Sequence, residues 1–363
     1  MERFGSFASS AILGIVALLS PQSGQAAEWK VTAGAESDGL GRQAWAFLPN
    51  ELWIHAGDSV TWTFASQEPH TVSFLTETTL RPTIPNDGLY FQPSGSSFDG
   101  SSNVNSGEMT LGQTYTVKFP AAGNYKLACL AHLYMNGAIH VLPASASLPH
   151  DQAFYDREAA DQQDRLLSDV DRRGDDLDQA GDNDQAGSAA HRVIAGTGEI
   201  VAAGSGFQTA AAVRFFPQAM TVHVGQTVEF TNNDPMTIHS VTFGVDPGTL
   251  GLPERFPVPI VSSGVGVNQD LDPDGALHAT VASPTDNVHS GALWPLPADR
   301  AANRANAGLP ATDPPILSQF PLPALVKDLN PRFRVTFTHT GTFNYYCVFH
   351  DNLGMLGQVI VLP

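Results

Sequence analysis

FLPNELWIHAGDSVTW, from Phe47 to Trp62, has a counterpart later in the chain in FFPQAMTVHVGQTVEF, from Phe215 to Phe230. Pro, His, Gly and Val recur in step: Pro49 with Pro217, His55 with His223, Gly57 with Gly225, Val60 with Val228. In the first stretch Val60, Trp62 and Phe64 alternate with Thr61 and Thr63; in the second Val228 and Phe230 flank Glu229. Period-two alternation bounded by Gly, Pro and Asn is the signal of a half-buried strand. The echo continues outward. Val31-Thr32-Ala33-Gly34 matches Val193-Ile194-Ala195-Gly196, and Pro69 to Phe74 matches Ile238 to Phe243. Gly123 to Cys129 matches Gly341 to Cys347. Tyr115, Val117 and Phe119 alternate in one copy as Phe333, Val335 and Phe337 do in the other. Several strands per copy, without interleaved helices, predict an all-β fold of two antiparallel sandwiches, over 28–143 and 192–363.

Composition agrees. With 363 residues the chain has room for two domains. Gly 33 and Pro 26 suit a turn-rich β protein. Hydrophobic residues at 42% and charged ones at 15% exclude a disordered chain. The net charge of −18 argues against nucleic acid and anionic membranes as partners, since both require a basic patch. Two Cys exclude a disulfide scaffold.

The remaining segments differ from the repeats. Arg3 precedes the apolar run Ala11 to Leu19, and the small residues Gly24 and Ala26 stand before Ala27. That pattern predicts a Sec-type signal peptide over 1–26 and a periplasmic or secreted mature protein. No later run is long enough for a membrane span. Between the copies, 144–191 reads as an acidic linker, helical in part and flexible in part. Residues 151–185 carry twelve acidic residues and four Arg. Asp151 caps an expected helix with Tyr155, Ala159, Leu166 and Val170 on one face, stopping near Gly174, and 174–190 is expected to be a flexible tether. The second copy also runs 108 positions from His239 to Cys347, where the first runs 59 from His70 to Cys129. The extra length, near 246–330, is expected to be a long excursion or lid. Its His278, His289 and Trp294 read as surface loop residues.

The chemistry sits where each copy ends. Cys129, His132 and Met135 give C-x2-H-x2-M; Cys347, His350 and Met355 give C-x2-H-x4-M. Each follows a strand, and each copy holds a further His upstream, His70 or His239. A thiolate and two imidazoles with a weak axial thioether form the blue-copper electron-transfer set, and the thioether favours copper over zinc. A Cys129–Cys347 disulfide is the competing reading for two exported cysteines. It fits poorly, because each Cys has its own His and Met. His55 and His223 repeat, as a surface His would after duplication; a metal or redox-partner role is the alternative. His140 reads as structural, and His150 and His191 carry no motif.

On these residues the chain resembles the cupredoxins. The first loop is similar to the amicyanin type, the second to the plastocyanin type. The resemblance covers both repeats and implies two Greek-key sandwiches or barrels, with one type 1 copper in each. The implied ligands are His70, Cys129, His132 and Met135, then His239, Cys347, His350 and Met355. It also implies that the loop histidines, His132 and His350, face solvent as electron ports. The family often has Asn after the upstream His, where this chain has Thr71 and Ser240. It often has Pro before the loop His, where this chain has Ala131 and Phe349. Both of these can donate an N–H where Pro cannot, which predicts a second hydrogen bond to each sulfur.

Enzymes built from such domains leave other marks. The trinuclear site of multicopper oxidases needs His-x-His, which does not occur here. Two-domain nitrite reductases place His directly before the blue-copper Cys; Ala128 and Tyr346 stand there. The expectation is therefore an electron carrier with unidentified redox partner proteins, not a catalyst. Periplasmic copper capture or delivery is the alternative, with an oxidoreductase using an interface site behind it.

Overall fold

The computed structural model describes residues 26–363 except 38, 40, 80–91, 186–190, 236, 246–268, 296 and 311–331. The expected leader, up to its last residue, therefore lies outside the described residues, as do the end of the expected tether and much of the 246–330 insertion.

The first half contributes β1 (Glu28–Glu36), β2 (Arg42–Leu48), β3 (Glu51–His55), β4 (Ser59–Phe64), β5 (Ser73–Phe74), β6 (Val104–Asn105), β7 (Thr114–Lys118), β8 (Gly123–Ala128) and β9 (Asn136–Leu142). A helix, α1 (Gln152–Gln185), follows. The second half contributes β10 (His191–Ala203), β11 (Gly206–Phe216), β12 (Ala219–His223), β13 (Thr227–Asn233), β14 (Thr242–Phe243), β15 (Gln269–Leu271), β16 (Leu277–Val281) and β17 (Val288–His289). After α2 (Pro297–Asn306) come β18 (Arg332–Phe337), β19 (Gly341–Tyr346) and β20 (Leu356–Leu362). The alternation read from the sequence sets the inward faces: Val60, Trp62 and Phe64 of β4 are buried, as are Phe333, Val335 and Phe337 of β18.

The architecture is all-β, with Greek-key sandwiches, but the two halves are fused. Each has its own outer sheet, β3-β9-β8-β5-β6 or β12-β20-β19-β14-β17. The inner sheets join into one of ten strands, β15-β16-β18-β13-β10-β11-β2-β1-β4-β7. The seam is the antiparallel pair β2–β11, with Gln43 opposite Ala211 and Trp45 opposite Thr209. Gln43 and Ala211 are equivalent positions in the two copies, so a local twofold axis passes between them. Side chains alternate across this sheet. Trp45, Phe47, Val213 and Phe215 face the cores, and Ala44, Ala46, Ala210 and Ala212 face the other side.

Helix α1 covers that other side. Leu166 and Val170 pack on Ala44, Ala46, Ala210, Ala212 and Phe216, a surface made flat by alanines. The helix spans the seam: Asp171 pairs with Arg42 of β2, and Asp178 with Arg214 of β11. The expected stop near Gly174 is therefore corrected. Helix continues to Gln185 because Gly174 is a packing residue, where a Cβ would lie 3.1 Å from the Phe216 ring.

The described part of the insertion adds strands to both sheets. Its β15 and β16 extend the shared sheet beyond β18, and β17 pairs with β14 as β6 pairs with β5. His289 is accordingly buried, with Nδ1 2.8 Å from Thr242 Oγ1, and not a surface loop residue. His278 is half-buried between Asp272 and Thr336.

Two paired copper-type centres

Each site is assembled from a strand end, a loop and a bulge. The backbone of His70 bridges to Met109, and that of His239 to Leu293, which fixes the upstream segments. Cys129 and Cys347 follow β8 and β19, fully buried and not bonded to each other. The loop closes when Cys129 N–H donates to Met135 O at 2.9 Å, and in the second site Cys347 N–H to Met355 O at 3.1 Å. The second loop, two residues longer, contains a 3₁₀ turn, Asp351–Leu353, ended by Gly354 in the left-handed region. Met135 and Met355 are fully buried at the loop ends.

These elements bring the sequence-predicted side chains together. In the first half, Cys129 Sγ lies 4.0 Å from His70 Nδ1 and 3.7 Å from His132 Nδ1, and the two Nδ1 atoms are 3.0 Å apart. In the second, Cys347 Sγ lies 3.9 Å from His239 Nδ1 and 3.4 Å from His350 Nδ1. Within each triad the three donor atoms lie within 4.8 Å of one another. One thiolate and two imidazole nitrogens, buried together, suit a soft or borderline cation such as copper. Each site also holds one buried carboxylate, Glu68 or Asp234.

Thr71 and Ser240 join the upstream segment to the loop. Thr71 N–H donates to Cys129 Sγ at 3.4 Å, and its hydroxyl accepts Leu130 N–H at 2.7 Å. Ser240 repeats both contacts, to Cys347 Sγ at 3.3 Å and from Val348 N–H at 2.9 Å. The residue after the upstream His thus donates its backbone N–H to the sulfur in each half.

Behind each upstream His lies a glycine bulge. Strand β1 shifts register at Gly34 and β10 at Gly196, with φ of 72° and 73°. A Cβ at Gly34 would strike the His70 ring, and one at Gly196 the His239 ring. The repeated Ala-Gly of the sequence marked these positions, yet nothing local assigned them to the histidines. Glu68, Asp234, Ser66 and Trp45 carried no sequence signal.

The outer nitrogens meet different partners. His70 Nε2 lies 3.0 Å from Ser66 Oγ, whereas His239 Nε2 lies 3.5 Å from Asp234 Oδ2, an ion-pair distance. His132 Nε2 lies 3.2 Å from Glu68 Oε1, and its ring stacks on Trp45 at 4.5 Å and 17°. Burial alone would lower the His132 pKa, but hydrogen bonds to Cys129 and Glu68 hold it up at about 9. Burial likewise works against His239, and Asp234 and Cys347 raise it to about 9. His70 is lowered, by burial first and by the His132 charge. Burial would raise both thiols. Hydrogen bonds from His132 and His70 bring Cys129 well below the usual thiol range, and the His350 charge with the His239 hydrogen bond brings Cys347 to about 5. The protein thus favours thiolates where a cation would be held.

The first loop is covered by the second half. The β10–β11 hairpin, with strands of 13 and 11 residues against 9 and 7 in β1–β2, reaches over it. Asn136 Oδ1 accepts Phe207 N–H at 3.0 Å, and the Phe207 ring meets Tyr134 edge-on at 6.0 Å. Arg304 lies over the Tyr134 ring at 5.6 Å. In the second loop Asp351, Asn352 and Gly354 are exposed, and Leu356, equivalent to Asn136, is 51% exposed. The expectation that both loop histidines face solvent is corrected: His132 is 7% and His350 4% exposed.

The other histidines serve the framework. His55 Nε2 meets Ala146 O at 2.8 Å, and His223 Nδ1 meets Pro363 O at 2.6 Å. His140 pairs with Glu51 and Asn124 and stacks on Trp53. His150 stacks on Phe154 at 3.6 Å.

Comparison with known proteins gives the same direction. Residues 36–142 match the profile of the copper binding proteins of the plastocyanin/azurin family. Over 132 residues the chain is 31% identical to the chloroplastic plastocyanin of Tetradesmus obliquus, covering 36% of this chain and 74% of that protein. Over 95 residues it is 32% identical to amicyanin-alpha of Methylorubrum extorquens, covering 26% of this chain and 63% of the relative. The crystal structure of amicyanin from Paracoccus versutus aligns at 24% identity and a TM-score of 0.22, over 32% of this chain and 81% of that one.

Proposed function

Since the chain belongs to the plastocyanin/azurin family of copper-binding proteins, we propose that it is an exported one-electron carrier with two type 1 copper sites. His70, Cys129, His132 and Met135 hold one, and His239, Cys347, His350 and Met355 the other. The observation that carries this reading is the repeated triad, with sulfur and two Nδ1 atoms converging in each half. Copper bound there supplies reversible Cu(II)/Cu(I) chemistry. The protein's own contribution is rigidity and dryness. Thr71 and Ser240 lock loop to segment, the bulges wedge the upstream rings, and burial excludes water. A site fixed in this way changes little between oxidation states. Copper capture and delivery would call for open sites, and both triads are buried. The partners are redox proteins.

Copper stoichiometry with visible and EPR spectra tests the reading. Two coppers with an intense thiolate band are expected, and Cys129→Ser and Cys347→Ser should each halve the signal. A colourless protein, or an EPR signal that survives both substitutions, overturns it. Export is checked by the N-terminus of protein isolated from its host, expected at Ala27.

A further inference from the structure

Asp58 is a buried carboxylate outside both proposed ligand sets. It stands in the turn between β3 and β4 and is 3% exposed. Its Oδ1 accepts Ala27 N–H at 2.7 Å, and its Oδ2 accepts Trp29 Nε1–H and His55 N–H, each at 2.9 Å. All three donors are neutral. Among the described residues no side-chain cation pairs with this carboxylate, and a buried charge without a countercharge is costly.

The second half shows that the turn itself does not need the charge. Trp29 lies beside Val60 as His191 lies beside Val228, so the copies run in step and Asp58 corresponds to Gln226. Gln226 Oε1 accepts His223 N–H at 2.6 Å, as Asp58 accepts from His55, with a neutral amide. What differs is the chain ahead of the first strand. In sequence β10 follows the whole first half and α1, whereas β1 begins directly after Ala27, the residue at which export leaves the first nitrogen of the mature protein. Ala27 is held from both sides, since its carbonyl accepts Ser59 N–H at 3.0 Å. Ala26 and Ala27 are exposed, so the bond between them is accessible. Its hydrolysis adds one water. Ala26 leaves with a carboxylate, and Ala27 keeps an amine that takes up a proton, because an α-amino group is largely an ammonium at neutral pH. The new charge arises on the nitrogen that already stands 2.7 Å from Asp58 Oδ1, and a neutral hydrogen bond becomes a charge-assisted one.

We propose that removal of residues 1–26 locks the first half: the α-ammonium of Ala27 pairs with Asp58, and the uncleaved chain lacks that pair. The inference rests on the export reading above. A chain that closes fully only after its leader is removed is easier to unfold while it is being exported.

The test compares three mature chains, each loaded with copper and reduced: one beginning at Ala27, the same chain acetylated on its α-amine, and one beginning at Ala26. Acetylation keeps the N–H and removes the charge; the extra residue moves the charge away. The readout is hydrogen exchange of the Ser59 amide, the partner of Ala27 O. Exchange should be roughly 10- to 100-fold slower in the free Ala27 chain than in the other two, the range of a charge-assisted hydrogen bond. On Asp58→Asn the three chains should exchange alike. Asp58→Gln, with the residue of the second half, replaces Asp58→Asn should the latter misfold, and the acetylation comparison needs no substitution. Equal exchange in the free and acetylated chains overturns the lock and leaves Asp58 a turn acceptor like Gln226. A difference that survives Asp58→Asn overturns it too, because another group then receives the charge. Failure of the export reading looks different: protein isolated from its host then begins elsewhere than at Ala27, and the lock falls with it.

Discussion

The two sites share the atoms that converge and differ in what stands behind them. In the first, the loop His takes a carboxylate and stacks on Trp45, while the upstream His takes a neutral hydroxyl. In the second the carboxylate changes place: Asp234 stands by the upstream His239. The first loop is roofed by a hairpin of the other half; the second leaves Asp351, Asn352 and Leu356 exposed. Donor geometry tolerates little change, so the triads stay alike. Outer partners only have to supply one buried negative charge and a firm orientation, and they can come from either side.

The largest way to break the comparison is at the bulges. Gly196→Ala should abolish copper at the second site alone, and Gly34→Ala at the first alone, each costing one equivalent of bound metal. The left-handed backbone disfavours a side chain, and the new Cβ displaces the imidazole. Trp45→Val installs the residue found at Val213. Loss of a fully buried indole should destabilise the fold by about 3 kcal/mol in chemical denaturation and shift only the first site's band. Asp234→Asn should weaken copper at the second site roughly 10- to 100-fold in chelator competition, with Ser66→Ala costing the first site less. Trimming the β10–β11 hairpin to the length of β1–β2 removes about two hydrogen bonds from the first loop. At about 1 kcal/mol each, release of its copper to a chelator should quicken roughly 30-fold, toward the rate of the second site.

The smallest effect concerns acid. Arg334 holds Asp272 and Asp274 below their usual range, and Thr116 stands at its place in the first half. A depressed carboxylate stabilises fully above its unfolded value of 3.8 and loses that contribution as pH falls through its folded value. The stability difference between wild type and Arg334→Thr should therefore shrink as pH falls below 3.8 and be lost only beneath the lower folded values of Asp272 and Asp274, as followed by near-UV circular dichroism.

The strands of each half were legible because inward residues alternate with polar ones, and most of each site because Cys, His and Met sit within one loop. The seam was harder to read. Ala44 to Leu48 and, apart from Arg214, Ala210 to Phe216 are apolar on both faces, which marks strands covered on both sides. Nothing in such a run says whether the cover is a helix or another domain. The helix was legible from Tyr155, Leu166 and Val170, but its length was not, since Gly174 reads as an end until Phe216 lies against it.

By itself the sequence determined the duplication, the β architecture of each half and the residues of both triads, because these rest on local period and short spacing. Tertiary structure alone decided that the halves share one sheet, that the hairpin roofs one loop, and that Glu68 and Asp234 stand behind opposite histidines. Those contacts join residues far apart in the chain, or depend on which way a strand edge is covered, and local pattern carries no record of either.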